Sequence, residues 1–504
     1  MRRSSFPPAS ICLCAALLCA SACGPSIVPE GDGTGGDDLP LTSTSAATPG
    51  EDETSVPEPI DDVEHGDVGE PECTGTPDCP LSLDVLVVVD NSNTMAGQQA
   101  LLNSTMVQLG RQLTEIEDLD GNPLVIDNHV MVTTTDLSNP LCEPFTPAGY
   151  EPAAGSPVST ACTDRLEHFT AASGDPSIPE ACTDICPQGV APDGPFVIFG
   201  ADESNLPDVE PIDVDGDGES DSPASQALAC LGAVGISGCG YESPLEAMRR
   251  ALDPGAAHNL GPDAFLRPNS ILAIIIITDE LDCSVQDESL MEDPSAWSVD
   301  PDLGMPFPSS ALCWNAGVEC EGPNAQGEYG NCVSIADGRL HTVDGYVEFL
   351  NTQLGAVTDR DVFMLPIVGV PVVLAHNANP PFEPIAGGAP DMVYRDWVDA
   401  PFPAGDLSEE DLAEGIDADD KRFEYGIGPG CSTFGNPPTT LRQGIAPRRM
   451  LDVCQSLNSK DGEGQERIRC CVESICDDSP RGTMNCLSGM VGSQYGSLSP
   501  LPKG

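Results

Sequence analysis

The feature that most constrains the fold is a pair of almost unbroken apolar runs. Val85–Val89 and Ile271–Ile277 contain only apolar residues, and each run ends where acidic and hydroxyl side chains begin. A strand with one wet face would alternate apolar and polar residues, so these runs predict strands buried on both faces of a parallel sheet. Two further strands are predicted at His129–Thr133 and Val362–Val370.

Helical patterns lie between the predicted strands. After the first strand, Leu102, Met106 and Leu109 recur at intervals of three or four residues. Before the central strand, Ser243 and Glu246 form an S-x-x-E pattern that predicts a capping box. Strands that alternate with helices predict an α/β fold with an open, mostly parallel, Rossmann-like sheet. Long insertions rich in Pro, Gly and Asp interrupt it at 137–228, 283–340 and 371–440.

The N-terminus has the pattern of an export signal. Arg2 and Arg3 precede the apolar stretch "ICLCAALLCASAC", which is too short to span a bilayer as a stable helix. The small residues before Cys23 resemble the lipobox of bacterial lipoproteins. This resemblance implies a signal peptide over 1–22 and a lipidated Cys23. The alternative is an ordinary cleavage site that leaves Cys23 as a spare thiol.

An acidic tether is predicted between this anchor and the fold, over 23–80. The segment from 24 to 72 contains no Lys, Arg or aromatic residue and cannot bury enough surface to fold. The whole chain has 20 Lys and Arg against 81 Asp and Glu, a formal net charge of −61. This charge argues against nucleic acid and anionic lipid surfaces as partners, and it leaves cations and basic partners. Membrane contact is therefore expected through the lipid anchor only.

The cysteines predict a disulfide framework. Removing three with the signal peptide and lipidating a fourth leaves 18 of the 22, an even number that suits nine pairs in an oxidising compartment. No C-x-x-C occurs, which argues against zinc ribbons and thioredoxin-like chemistry. The region 401–504 is rich in cysteine and is expected to form a small lobe that packs on the α/β core.

The turn after the first strand carries the residues of a candidate metal site. Asp90, Ser92 and Thr94 alternate with other residues, and a carboxylate followed by hydroxyls can direct several oxygens to one point, as a hard divalent cation requires. Asp279 follows the central strand. Because functional loops gather beyond the carboxyl ends of the strands in such a sheet, these residues are expected to meet.

The motifs of this site resemble those of a known family. "DNSNT" is similar to the D-x-S-x-S/T signature of the von Willebrand factor type A (vWA) domain, and "ITDE" resembles that fold's T-D-G stretch. The likeness covers about Leu83 to Val370 without the insertions and implies a vWA-like domain over 81–400. It implies a metal-ion-dependent adhesion site with Asp90, Ser92, Thr94 and Asp279, a bound Mg²⁺, Mn²⁺ or Ca²⁺, and a ligand-binding role.

One position departs from the family pattern. Glu242 occupies the place where family members have a Thr, so a third carboxylate would join the site. It would hold metal tightly but attract an acidic ligand weakly. The ion is then structural or regulatory, or adhesion uses nearby surfaces. The plainer alternative is that Ser92 and Thr94 cap a helix and Asp279 ends a strand in a turn.

A second oxygen-rich stretch is "DVDGDGESD", residues 213–221. Its spacing brings carboxylates around one turn and places Gly218 at the bend, which predicts a short extracellular calcium loop; Ala224 stands at the twelfth position, so the loop is not a complete EF-hand. The alternative is an acidic linker. The predicted calcium-site residues are Asp213, Asp215, Asp217, Glu219 and Asp221.

These patterns together predict a binding protein and not an enzyme. We expect a lipoprotein of the bacterial cell envelope, in the outer membrane and facing the periplasm or the cell surface, that binds a divalent cation and an unknown protein or extracellular matrix ligand. A structural envelope protein with purely stabilising metal and disulfides is the alternative. A secreted hydrolase is the third hypothesis, although H-E-x-x-H, P-loop and G-x-S-x-G motifs are absent from the sequence.

Overall fold

A continuous parallel sheet forms the centre of the protein. The computed structural model describes residues 75–495 except 78, 172, 175, 202, 355–360, 436–440, 461–465 and 480. The signal segment, Cys23 and most of the tether therefore lie outside the described residues. The last tether residues already belong to the fold, since Gly75 accepts a backbone hydrogen bond from Val125.

Six strands build the sheet in the order β6-β5-β4-β1-β2-β3. Only β3, which pairs with β2, is antiparallel. In the centre, β1 and β4 run parallel with Val85 beside Ala273. The strands are β1 (Leu81–Val89), β2 (Ile126–Thr134), β3 (Val197–Phe199), β4 (Ile271–Ile277), β5 (Val362–Val368) and β6 (Glu473–Ser474).

Helices cover both faces of the sheet, which explains the continuous apolar runs. Val85 and Val87 face one core, whereas Leu86 and Val88 face the other. Every residue of β4 is buried. The first core is covered by α1 (Gln99–Gln112), α2 (Pro223–Gly232) and α6 (Arg481–Tyr495). The second is covered by α3 (Pro244–Ala251), α4 (Val343–Glu348) and α5 (Arg448–Ser456). The predicted α/β class with a mostly parallel sheet is confirmed.

Short elements fill the insertions. None of them joins the central sheet. The strands are Ser298–Val299, Pro306–Phe307, Val318–Glu321, Glu328–Ser334, Ala375–His376, Pro384–Ala386, Tyr394–Arg395, Pro429–Phe434, Leu441–Ile445, Ser459–Lys460 and Glu466–Arg467. The helices are Glu180–Thr183, Ala311–Gly317, Glu409–Glu414 and Ala418–Tyr425. Within the described residues, no helix is long and apolar enough to cross a membrane.

Disulfides hold these irregular regions, as the sequence predicts. Eight pairs join described cysteines, and Cys79 is also disulfide-bonded. The first insertion has three, the second has two, and the C-terminal region has three. The pairs are Cys142–Cys239, Cys162–Cys182, Cys186–Cys230, Cys283–Cys313, Cys320–Cys332, Cys431–Cys476, Cys454–Cys470 and Cys471–Cys486.

Two local expectations need correction. The region 401–504 does not form a separate lobe, because it supplies β6, α5 and α6 to the central sheet and its two helical layers. The predicted capping box at Ser243 does not form. The Ser243 hydroxyl donates instead to the carbonyl of Cys283 at 2.8 Å. Glu246 is drawn into ion pairs with Arg249 and Arg250.

Candidate metal centre

The order of the strands creates a crevice between β1 and β4. From β1 the chain builds the sheet outward through β2 and β3, and from β4 it builds in the opposite direction through β5 and β6. Loops beyond the carboxyl ends of the two central strands therefore diverge, and ligands of open α/β proteins bind at this point. Asp90 directly follows β1, and Asp279 lies two residues after β4.

The four residues that match the vWA motifs meet in this crevice. The backbone N–H of Ser92 donates to Asp90 Oδ1 at 2.7 Å. Thr94 Oγ1 lies 2.9 Å from Ser92 Oγ and 3.0 Å from Asp279 Oδ1. Ser92 precedes a 3₁₀ turn over Asn93–Gln98 but makes no side-chain capping bond to it. The geometry thus disfavours helix capping as the role of Ser92.

Glu242 lies in the same place. Its side chain is fully buried, and it adjoins Asp90 closely enough for a hydrogen bond between the two carboxyl groups. Thr135 Oγ1 donates to Glu242 Oε2. Glu242 Oε1 has no hydrogen-bond partner among the described residues. A buried carboxylate oxygen without a donor is costly, so this atom is available to a cation.

Sequence reasoning missed three further residues of the crevice. Thr278 Oγ1 donates to Asp90 Oδ2 at 2.5 Å. Glu280 Oε1 lies 3.3 Å from Thr94 Oγ1. Asp136, which follows β2, is close enough to raise the pKa of Glu242 through its charge. The adjacent acids in "ITDE" signal Glu280, but nothing local signals Asp136. We call Asp90, Asp136, Glu242, Asp279 and Glu280 the carboxylate cluster.

The carboxylate cluster stands out because it has no positive partner. Twelve Asp and Glu residues of the described chain are buried. Seven of them pair with Lys, Arg or His, for example Asp84 with Arg267 and Asp282 with Arg449. The five without such a pair among the described residues are the five members of the carboxylate cluster. Buried charges are normally paired or bound to metal, so this concentration points to a missing cation.

The electrostatics of the carboxylate cluster agree with this reading. Burial raises the pKa of Asp90, and burial together with the nearby Asp90 charge raises the pKa values of Glu242, Asp279 and Glu280 well above their ordinary range. Protons therefore compete with a cation for these oxygens. Carboxylate and hydroxyl oxygens are the donors that Mg²⁺, Mn²⁺ and Ca²⁺ prefer, so the residues present fit such an ion.

The C-terminal half of the chain forms the outer wall of the crevice. Ile445 donates its backbone N–H to the carbonyl of Asp279 at 2.7 Å. Gln98 Nε2 donates to the carbonyl of Gln443 at 3.4 Å. Trp397 and Tyr425 line the same opening. These contacts join residues far apart in sequence, and no local pattern announces them.

The predicted calcium loop is a second acidic site, and we call residues 213–221 the acidic loop. Carboxylate oxygens of Asp213, Asp215 and Asp221 lie within 4.8 Å of one another, and no other group of three or more His, Cys, Asp or Glu in the described residues meets that distance. Asp213 accepts backbone N–H groups of Gly216 and Gly218 at 2.7 and 2.9 Å.

A guanidinium group already lies in the acidic loop. Arg111 Nε donates to Asp221 Oδ1 at 2.8 Å, and its terminal nitrogens contact Asp215 and Asp217. The charge of Arg111 lowers the pKa of Asp217. Glu219 joins through its backbone N–H, which donates to Asp217. Calcium at this loop stays a prediction, and it would have to compete with Arg111.

Comparison with known proteins adds no relative. No protein-family model, no curated protein and no solved structure matches this chain. The vWA resemblance of "DNSNT" and "ITDE" therefore stays a prediction.

Proposed function

We propose that this protein is a cell-envelope lipoprotein whose vWA-like domain binds one divalent cation in the carboxylate cluster and recognises a protein or matrix partner beside it. Asp90, Asp279 and Glu242 would supply the carboxylate ligands, and Ser92 and Thr94 the hydroxyl ligands. The role is binding and not catalysis. Export is supported by the N-terminal apolar segment and by the many disulfides.

One observation carries the cation proposal. All five buried carboxyl groups that lack a basic partner among the described residues lie together at the point where strand order reverses. Five independent sites would be scattered if their lack of partners had no common cause. A divalent cation supplies that cause, because it compensates two of the charges and gives Glu242 Oε1 a partner.

Titration calorimetry of the mature chain with Mg²⁺, Mn²⁺ and Ca²⁺ tests the cation site. We expect Asp90→Asn to lose a site that the wild type has. Asp120→Asn, the same change at an exposed acid, serves as the control. Equal stoichiometry in the wild type and Asp90→Asn would refute the proposal.

A structural role for the ion is the second candidate, and one observation favours it. The chain's own residues Trp397, Tyr425 and Gln443 line the crevice and restrict the approach of a large ligand. A purely structural ion would raise the melting temperature without changing the affinity for any partner. Measuring pull-down of envelope proteins with and without the cation, beside thermal melting, separates the two roles.

The lipid anchor is tested separately, because Cys23 lies outside the described residues. Mass spectrometry of the mature N-terminus should find a lipidated Cys23. An unmodified Cys23 would remove the anchor and leave the cation site unaffected.

A further inference from the structure

A small cavity lies beside the carboxylate cluster. Its volume is about 260 Å³, and it lies between the turn after β1, the end of β4 and the C-terminal region. Pockets for drug-sized ligands occupy about 300–1,000 Å³, so this one suits a smaller group, of the size of a single side chain. The residues that matter to its chemistry are Thr94, Gln98, Asp279, Glu280, Trp397, Lys421, Tyr425 and Arg442. We call it the side cavity.

One buried polar group on the wall of the side cavity lacks a partner. Gln98 is only 2 % exposed. Its Nε2 donates to Gln443, whereas its Oε1 accepts no hydrogen bond from any described residue. A buried amide oxygen without a donor costs free energy. A ligand that brings an N–H or O–H group into the side cavity would remove that cost.

The unmatched charge of the side cavity is negative. The two basic residues on its wall already have acidic partners: Lys421 Nζ lies 2.9 Å from Asp411 Oδ1, and Arg442 lies 2.5 Å from Asp478 Oδ1. Glu280 has a hydrogen bond only from Thr94 and pairs with no base among the described residues. A ligand that balances this charge is therefore cationic.

The outer wall is aromatic, which also favours a cation with a carbon chain. The rings of Trp397 and Tyr425 stack with their centroids 5.7 Å apart. The chain already places one ammonium at this wall, because Lys421 Nζ lies 5.8 Å from the centroid of the Tyr425 ring. Aromatic faces attract ammonium groups and bury methylene groups at once.

We propose that the side cavity binds an alkylammonium group, either of a free small amine or of a lysine side chain on a basic partner. The ammonium donates to Glu280 and to Gln98 Oε1, and its methylene groups lie along Trp397 and Tyr425. The lysine form rests on the proposed partner-binding function and names the chemistry of that partner. The divalent cation and the ammonium use different groups, Asp90 and Glu242 for the first and Glu280 and Gln98 for the second.

Calorimetry of the mature chain in saturating Mg²⁺ tests the proposal with n-butylammonium as the probe. We expect it to bind at least about tenfold more tightly than 1-butanol, which has the same chain and no charge, and we expect no binding of butyrate. Glu280→Gln and Gln98→Leu should each weaken n-butylammonium binding by about tenfold. Glu424→Gln, the same change outside the cavity wall, should leave it unchanged.

Two peptides with blocked ends distinguish the sources of the ammonium group. Gly-Lys-Gly that binds more tightly than n-butylammonium, with the norleucine peptide silent, supports a lysine of a partner. Binding of n-butylammonium alone supports a free amine. Butyrate binding in place of n-butylammonium, or equal n-butylammonium binding by wild type and both variants, overturns the proposal. If divalent binding still depends on Asp90 in that case, the cation proposal survives; if divalent binding is also lost, both fail.

Discussion

The acidic loop and the carboxylate cluster are both dense in carboxylates, but only the acidic loop contains a positive charge of its own. Arg111 contacts Asp215, Asp217 and Asp221 in the acidic loop. No Lys, Arg or His of the described chain pairs with any member of the carboxylate cluster. Acid-rich sequence alone therefore does not identify a cation site. The source of the neutralising charge decides, and that source depends on tertiary structure.

One helix joins the two regions, so their difference is not a matter of distance along the fold. The 3₁₀ turn Asn93–Gln98 leads from Ser92 into α1, and Arg111 lies in the last turn of α1. The 14 residues of α1 span about 20 Å. The carboxylate cluster thus lies at the beginning of this segment, and the acidic loop lies at its end.

The largest effect is expected from removing the built-in cation of the acidic loop. Arg111→Met leaves the fully buried Asp221 without a partner and should lower the free energy of unfolding by about 3 kcal/mol. Calcium should then bind the acidic loop and recover most of the loss, whereas it should have little effect there in the wild type. Thermal melting with and without Ca²⁺ measures this, and Arg250→Met, on a surface pair, is the control.

A wild-type acidic loop that binds Ca²⁺ as tightly as the Arg111→Met variant would contradict this comparison. In that case the guanidinium would not compete with the ion, and the two acidic regions would be equivalent cation sites.

The second effect is a pH dependence confined to the carboxylate cluster. Without a divalent cation, the folded state raises the pKa values of Asp90, Glu242 and Asp279 above their ordinary values of 3.8 and 4.5. The folded state then binds more protons than the unfolded state, so stability falls as pH rises above those ordinary values. We expect the melting temperature in EDTA to fall by several degrees between about pH 5 and pH 8.

Saturating Mg²⁺ or Ca²⁺ should abolish that fall, because the bound ion keeps the ligands deprotonated at both pH values. A melting temperature in EDTA that instead rises with pH would show that the carboxylate cluster is compensated from within the protein.

The same comparison shows what the sequence could predict. The apolar runs place β1, β4 and β5 because each strand is covered on both faces. The strands β3 and β6 have only three and two residues, too few to form a pattern, and they were missed. Asp90, Ser92 and Thr94 are local to one turn and could be found. Arg111 could not, because its acidic partner Asp221 is 110 residues away in the chain.

A smaller effect tests why the carboxylate cluster includes a glutamate where the vWA pattern has a threonine. Glu242→Thr removes one buried, unmatched carboxyl group, so in EDTA at neutral pH it should stabilise the protein by about 1–2 kcal/mol. It should also weaken the divalent site by about tenfold, because affinity follows the number of charged ligands. Chemical denaturation and calorimetry measure the two changes. Destabilisation in EDTA together with unchanged cation affinity would mean that Glu242 has only a packing role with Thr135.

The smallest effect is expected at Glu219, which the sequence pattern includes in the calcium loop. The structure gives it only a backbone contact with Asp217, and its side chain is exposed. Glu219→Gln should change the free energy of unfolding by less than about 0.5 kcal/mol. In an Arg111→Met background it should leave the calcium stoichiometry unchanged, whereas Asp215→Asn should lower it. Loss of calcium in the Glu219→Gln variant would mean that the loop rearranges around the ion and that Arg111 holds it in a conformation unlike the bound one.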